Sequence, residues 1–149
     1  MNVNLEVVSI PVSDVDKALE FYRDRLGWRV DIEIKDENSH IAEITPTGDG
    51  HASIVFGLPM PAPPGSMRHL ELTTPDIVAA RDEIAQHGVD ITEVYHGGAS
   101  AVFQPEARIP GPDPDRNSYA SYASFSDPDG NGWTLQEVTT RAAGREATS

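Results

Sequence analysis

The chain has 149 residues, 38% of them hydrophobic and 23% charged, with no cysteine and a formal net charge of -13. The length fits one ordinary domain or two small units sharing a core. The absence of cysteine excludes disulfides, Cys-zinc sites and thiol nucleophiles, and so acidic a surface repels phosphate backbones, which argues against nucleic acid as a partner.

The N-terminus, MNVNLEVVSIPV, lacks a basic region and a small-residue cleavage site, so no signal peptide is expected. No apolar run approaches the roughly 20 residues of a membrane span, and a cytoplasmic location is expected. Residues 5–12, LEVVSIPV, are mostly apolar and rich in β-branched residues, which predicts a strand. Ser13 then offers a helix cap, with Asp14 and Asp16 at the positive end of the helix. Val15, Ala18, Leu19, Tyr22 and Leu26 form an apolar stripe at helical spacing, and Gly27 supplies the left-handed stop. Strand-like segments follow at 28–35, 40–45 and 52–58, separated by DENS and PTGDG. His40 and His51 lie near these turns and are expected to be solvated. The proline-rich segment 59–66 suits neither helix nor central strand and reads as a linker.

The same order then returns. Residues 68–74, RHLELTT, predict a strand. Thr74-Pro75-Asp76 supplies a cap, a proline at the first helical position and an acid. Ile77, Ala80 and Ile84 form the stripe and Gly88 the stop. Strand patterns follow at 89–96, 119–125 and 133–138. A long polar insertion, roughly 97–118 and including PGPDPDRNS, suggests a lid over a pocket. Asp127-Pro128-Asp129-Gly130-Asn131-Gly132 is a turn between the last two strands, explained fully by local backbone needs. Residues 140–149 read as a flexible tail. The expected organisation is one domain over 1–139, made of two repeats at about 4–58 and 67–139.

Two motifs, VVSIPVSDVDKALEFYRDRLGW and SFSDPDGNGWTLQEV, together with the repeat, make the chain resemble the vicinal oxygen chelate superfamily. That superfamily includes glyoxalase I, extradiol dioxygenases, fosfomycin-resistance enzymes and bleomycin-resistance proteins. The resemblance covers most of residues 5–139. It implies an α+β fold of two βαβββ modules whose mixed sheets curl around a cavity, and a homodimer. Fold alone does not decide between catalysis and binding.

In metal-dependent members the ligands are typically two His and one or two Glu, an N/O set with open positions for substrate. By resemblance, the first His position is Val7, the second is His69, and the Glu that follows Asp-Gly-Asn falls on Thr134. The closing strand of the first module carries no acid. A degenerate metal site is therefore expected, with Glu71 the available substitute beside His69 and Glu137 facing away from Thr134. No cofactor is expected; the alternative is a divalent metal ion.

Strand alternation groups Val7 with Ser9, His69 with Glu71 and Thr73, and Thr134 with Gln136 as cavity-facing residues. In the first module's closing strand the inward set is either Ile54 and Phe56 or Ser53 and Val55; Phe56 is taken as a ligand contact. Tyr119 is taken as a second, at the root of the insertion, although the inward face of its strand is open. The ligand-binding set is thus Val7, Ser9, Phe56, His69, Glu71, Tyr119, Thr134 and Gln136. The preferred reading is a protein of the bleomycin-resistance kind that binds a small organic molecule without metal, of cationic type given the acidic surface. The alternatives are a divalent-metal lyase, isomerase or dioxygenase with a shifted ligand set including His69 and Glu71, or a metal-free enzyme using those two residues as acid and base. Whether any reaction is catalysed stays open.

Overall fold

The computed structural model describes residues 1–145 and divides the chain into two compact units. The first contains residues 1–68 and 126–132; the second contains 69–125 and 133–149, of which 146–149 lie outside the described residues. The Asp-Pro-Asp-Gly-Asn-Gly turn, read from sequence as local punctuation in the second repeat, thus groups with the first unit.

The first unit holds β1 (Val7–Ser9), α1 (Val15–Leu19), β2 (Arg29–Lys35), β3 (His40–Thr45) and β4 (Ser53–Phe56). The sheet order is β1-β4-β3-β2, with β1 parallel to β4 and the other pairs antiparallel. The helix cap is Asp14, whose carboxylate accepts the Lys17 N–H at 3.1 Å; Ser13, the expected cap, is bonded elsewhere. After Leu19 the helix widens into a π-helical stretch, Glu20–Arg25, and the Leu26 N–H donates to the Phe21 carbonyl. The wider turn lets two sequence neighbours, Phe21 and Tyr22, both be buried, so the apolar face is broader than the expected stripe. Tyr22 packs against Phe56, ring centroids 5.7 Å apart, and against Trp28 at 5.2 Å. Gly27 takes the left-handed conformation, φ 72°, as expected. His40 is half-buried rather than solvated, with Nε2 3.4 Å from Glu33 and Nδ1 3.8 Å from Asp16.

Residues 126–132 carry a buried polar knot. Asn131 donates from Nδ2 to the Pro11 carbonyl (2.9 Å) and to Asp127 (2.8 Å), and its Oδ1 accepts the Met67 N–H (3.1 Å). Asp127 also accepts from the Tyr22 hydroxyl at 2.8 Å and from the N–H groups of Asp129 and Asn131. Asp129 accepts from the Ser13 hydroxyl (2.6 Å) and N–H (3.1 Å). Gly65 passes so close that an added Cβ would lie 2.0 Å from the Asp129 carbonyl oxygen.

The second unit repeats the plan: β5 (Leu70–Thr74), α2 (Ile77–Gln86), β6 (Tyr95–His96), α3 (Ser100–Phe103), β7 (Ile109–Pro110), β8 (Tyr122–Ser126) and β9 (Gly132–Glu137). The order is β5-β9-β8-β6-β7, and β5 runs parallel to β9 as β1 does to β4. The fold is therefore α+β with two mixed sheets, as the sequence predicts. The cap of α2 is Asp76, which accepts the Ala79 N–H; Thr74 ends the strand and Pro75 precedes the cap instead of opening the helix.

Three segments depart from expectation. The strand pattern at 89–96 contracts to an isolated bridge at Ile91 and the pair Tyr95–His96. The insertion is structured, because α3, a 3-10 turn at Pro105–Ala107 and edge strand β7 occupy it. The Arg108 guanidinium closes the end of α3, donating to the Ala101 and Val102 carbonyls at 2.8 and 2.9 Å, and lies 4.2 Å from the Tyr95 ring centre. Thr140 and Ala142, expected as part of a loose tail, are hydrogen-bonded to Ser118 and Tyr119, as is Thr139 before them.

Removing the Asn131 side chain leaves the Met67 N–H without its partner and takes one donor each from the Pro11 carbonyl and from Asp127. Asn131→Ala is expected to cost about 2–4 kcal/mol, and Tyr22→Phe about 1–2 kcal/mol because Asp127 keeps its other donors. Urea denaturation of both variants checks this; an Asn131→Ala loss no larger than that of Tyr22→Phe would show the knot to be peripheral.

Candidate functional site

The predicted ligand residues fall in both units, and each is placed here within its own. In the first unit Val7 and Ser9 lie opposite Ser53 and Val55, so these four share a sheet row system and one face. Val7 is 39% exposed. Phe56 belongs to the other face: it is buried and stacks on Tyr22, so its ring is core and not a ligand contact. Of the two inward sets weighed for β4, the structure favours Ser53 and Val55.

The same unit holds a depression of about 520 Å³, lined by Arg29, Asp31, Glu43, Thr45, His51 and Ser53 among others. A bulge in β2 between Val30 and Ile32 turns Asp31 toward Thr45, whose hydroxyl donates to it. Thr45 and Ser53 hydroxyls are 2.7 Å apart, and Arg29 donates to Asp31 at 2.6 Å, which holds the Asp31 carboxyl below its ordinary value. The lining is charged and hydroxylic with no Phe, Tyr or Trp side chain, so it suits an apolar organic molecule poorly.

The second unit offers a different cleft, of about 390 Å³. It gathers His69, Glu71, Tyr119 and Gln136 from the predicted set, with Thr73, Tyr122, Phe103, Arg141 and Arg145. Its base is the parallel pair β5 and β9, where Glu71 lies opposite Thr134 and Thr73 opposite Gln136. Thr134 is buried and does not line the cleft.

His69 precedes β5 with a left-handed backbone, φ 64°, so it is not a strand residue as RHLELTT suggested. That turn sets its imidazole 3.8 Å from Glu71 and 4.6 Å from the Phe103 ring centre. Tyr119 is also left-handed, φ 70°, and sits before β8, which begins at Tyr122. Its carbonyl accepts from Gln136 at 3.0 Å and from the Tyr122 hydroxyl at 2.9 Å. Tyr122 is buried, 5.8 Å from Tyr95 in stacked geometry. Burial pushes its phenol above the ordinary value; Glu71 and Tyr95 add to this and the Gln136 hydrogen bond opposes it. The phenol therefore stays neutral and serves as a hydrogen-bonding wall.

Phe103, Arg141 and Arg145 are cleft residues that the sequence reading missed. Phe103 lies on α3, inside the segment read as an irregular lid, and both arginines lie in the segment read as tail. A Ser-Ala-Val-Phe turn after two glycines was the available signal for α3.

The donor set fits a divalent ion poorly. Val7 carries no lone pair, Thr134 offers a neutral hydroxyl, and His69 with Glu71 makes two donors where protein sites usually supply three or more. Among the described residues no three His, Cys, Asp or Glu side chains come together in a way that could hold a metal ion.

The sequence profile of the glyoxalase/bleomycin resistance protein/dioxygenase superfamily matches residues 4–135. The chain belongs to this superfamily. Among solved structures it is similar to TnmS3, an antibiotic binding protein from Streptomyces sp. CB03234, with 28% identity, a TM-score of 0.69, and 92% of this chain and 97% of that one covered. A glyoxalase/bleomycin resistance protein from the same organism matches with 28% identity, TM-score 0.66, and coverage of 90% and 100%. A superfamily member from Sphaerobacter thermophilus DSM 20745 matches with 27% identity, TM-score 0.63, and coverage of 91% and 98%. No curated protein matches the chain at a significant level. Among the described residues no helix is long and apolar enough to cross a membrane.

Glu137 supports the cleft from behind. It is fully buried, accepts the Ile77 N–H at 2.9 Å at the start of α2, and accepts from Arg116 Nε at 2.8 Å. The Arg116 hydrogen bonds hold its carboxyl below the ordinary value of 4.5 against the opposing effect of burial. A depressed folded-state value means that the stabilisation is complete above about pH 4.5 and is lost as pH falls through the folded value. Glu137→Gln should cost about 1–3 kcal/mol at neutral pH. It should also flatten the acid limb of a stability-versus-pH curve measured by urea denaturation, and an unchanged acid limb would refute the assignment.

Proposed function

We propose that the protein binds a small organic molecule in the cleft of its second unit, without a metal ion, as a binding protein of the bleomycin-resistance kind. The observation that carries this reading is the lining: Phe103, Tyr122 and the His69 ring form aromatic walls, while Glu71, Thr73 and Gln136 supply a few polar contacts. A cleft of about 390 Å³ with that balance falls within the usual range for small-molecule sites. The similarity to an antibiotic binding protein over nearly the whole chain supports the same reading. Of the predicted contacts, His69, Glu71, Tyr119 and Gln136 are proposed to touch the ligand. A cationic ligand of the kind suggested by the acidic surface would have Glu71 as its acidic partner there.

One observation favours a second reading. His69 and Glu71 approach within 3.8 Å, the kind of pair that serves as acid and base or as two of the ligands of a shifted metal site. Two measurements decide. Titration calorimetry with 2-naphthamide, a neutral two-ring aromatic probe, is expected to show saturable binding that weakens at least about tenfold in Tyr122→Ala and survives EDTA. Elemental analysis of the purified protein is expected to show no stoichiometric metal. Stoichiometric metal that disappears in His69→Ala would overturn the metal-free reading in favour of the second.

A further inference from the structure

Arg141 and Arg145 line the second unit's cleft, and neither side chain has a hydrogen-bond or ion-pair partner among the described residues. Both are exposed at the cleft rim, in a chain whose 24 acids outnumber its 11 bases. The other seven arginines are all engaged: Arg23, Arg25, Arg29, Arg81 and Arg116 pair with Asp or Glu, and Arg68 and Arg108 donate to backbone carbonyls.

The backbone that carries the two arginines is held in place. Ser118 Oγ accepts the Thr139 and Thr140 N–H groups at 3.0 and 3.1 Å and donates to the Thr140 carbonyl at 2.7 Å. The Tyr119 hydroxyl accepts the Ala142 N–H at 3.1 Å, and the Arg145 N–H closes a turn onto the Ala142 carbonyl at 2.9 Å. Tyr119 is itself a cleft residue, so the strap carrying Arg141 and Arg145 is bonded directly to the cleft wall. By formal charge the lining sets two arginines against the single carboxylate of Glu71, the reverse of the balance in the molecule as a whole.

From this we infer that Arg141 and Arg145 form an anion-recognition end of the cleft, and that the ligand is an aromatic molecule bearing a carboxylate or comparably acidic oxygen. A guanidinium presents a planar fork that matches a carboxylate in a charge-assisted pair. Phe103 and Tyr122 would take the ring system, and Glu71 a hydroxyl or N–H of the same molecule. The inference rests on the small-molecule reading of the cleft given above, and goes beyond it in fixing the sign of the ligand's charge.

The test compares three probes of one shape: 2-naphthoate, 2-naphthamide and 2-naphthyltrimethylammonium. Each is titrated calorimetrically at low salt into the wild-type chain, the Arg141→Gln/Arg145→Gln double variant and Tyr122→Ala. The expected result is that 2-naphthoate binds about tenfold more tightly than the amide, that the double variant erases this preference while keeping amide binding, and that Tyr122→Ala weakens all three. Equal binding of naphthoate and amide, a preference for the ammonium probe, or a naphthoate preference that survives in the double variant would overturn the inference and leave the small-molecule reading standing. No saturable binding of any probe to the wild type would overturn both. Neither arginine side chain has a hydrogen-bond or ion-pair partner among the described residues, so the double variant should fold normally, which far-ultraviolet circular dichroism checks.

Discussion

The fully buried amide of Asn131 is the constraint from which much of the structure follows. Its donors and acceptor are all engaged, by the Pro11 carbonyl, the Asp127 carboxylate and the Met67 N–H. A buried polar group is stabilising only where such satisfaction is complete, because the low local dielectric magnifies both made and missing bonds. Here the bonds join chain segments far apart in sequence: the exit of β1, the π-helical stretch after α1 through Tyr22, the end of the linker, and the turn itself. The Gly132 N–H donates to the Met67 carbonyl at 2.9 Å, so β9 leaves the turn already in step with the chain that becomes β5. The register then runs Leu70 opposite Trp133 and onward to Thr73 opposite Gln136. Since a slip of one residue would reverse every side chain, this root determines that Glu71, Thr73 and Gln136 share one face.

Much of this fold was legible in the sequence because its elements follow local rules. The period-2 and period-3.6 patterns located α1, α2 and most strands, Gly27 and Gly88 marked the helix stops, and the repeated order predicted two like modules. What escaped was long-range. Nothing local distinguishes Ser13 from Asp14 as a cap; the choice follows from Asp129, more than a hundred residues away, which engages Ser13. Asp127 and Asn131 look like ordinary turn residues because their turn chemistry is sufficient in itself, and their partners at Tyr22 and Pro11 leave no trace in the local pattern. Glu137 likewise reads only as a strand residue facing away from Thr134 until Arg116 and the start of α2 are seen to meet it.

The candidate site was legible in part, for the same reason. Strand alternation correctly placed Glu71, Thr73 and Gln136 together, since all three lie in regular strand. It does not explain how His69 and Tyr119 reach the cleft, because their left-handed backbones lie just outside the strands. It also put the Phe56 ring on the wrong face, because a two-way choice of register in a four-residue apolar strand carries no local signal. Phe103 and the two arginines were missed because their segments were classed by composition, as a polar lid and a tail. Composition did not show the Ser118 and Tyr119 bonds that order residues 139–142.

Net charge is the clearest case of a whole-molecule quantity saying little about a site. A formal charge of -13 describes the far field, which decays over about 8–10 Å in physiological salt. A ligand within the cleft meets the near field, set by the few side chains within a Debye length and by the low-dielectric walls that concentrate their effect. There the balance is Glu71 against Arg141 and Arg145. The two scales need not agree, and their disagreement has a kinetic consequence. An anionic ligand approaches against long-range repulsion and is held by short-range pairing, so added salt should speed its arrival while weakening its grip. A cation would show slower arrival with rising salt, and that opposite sign separates the two ligand classes without knowledge of the ligand's structure.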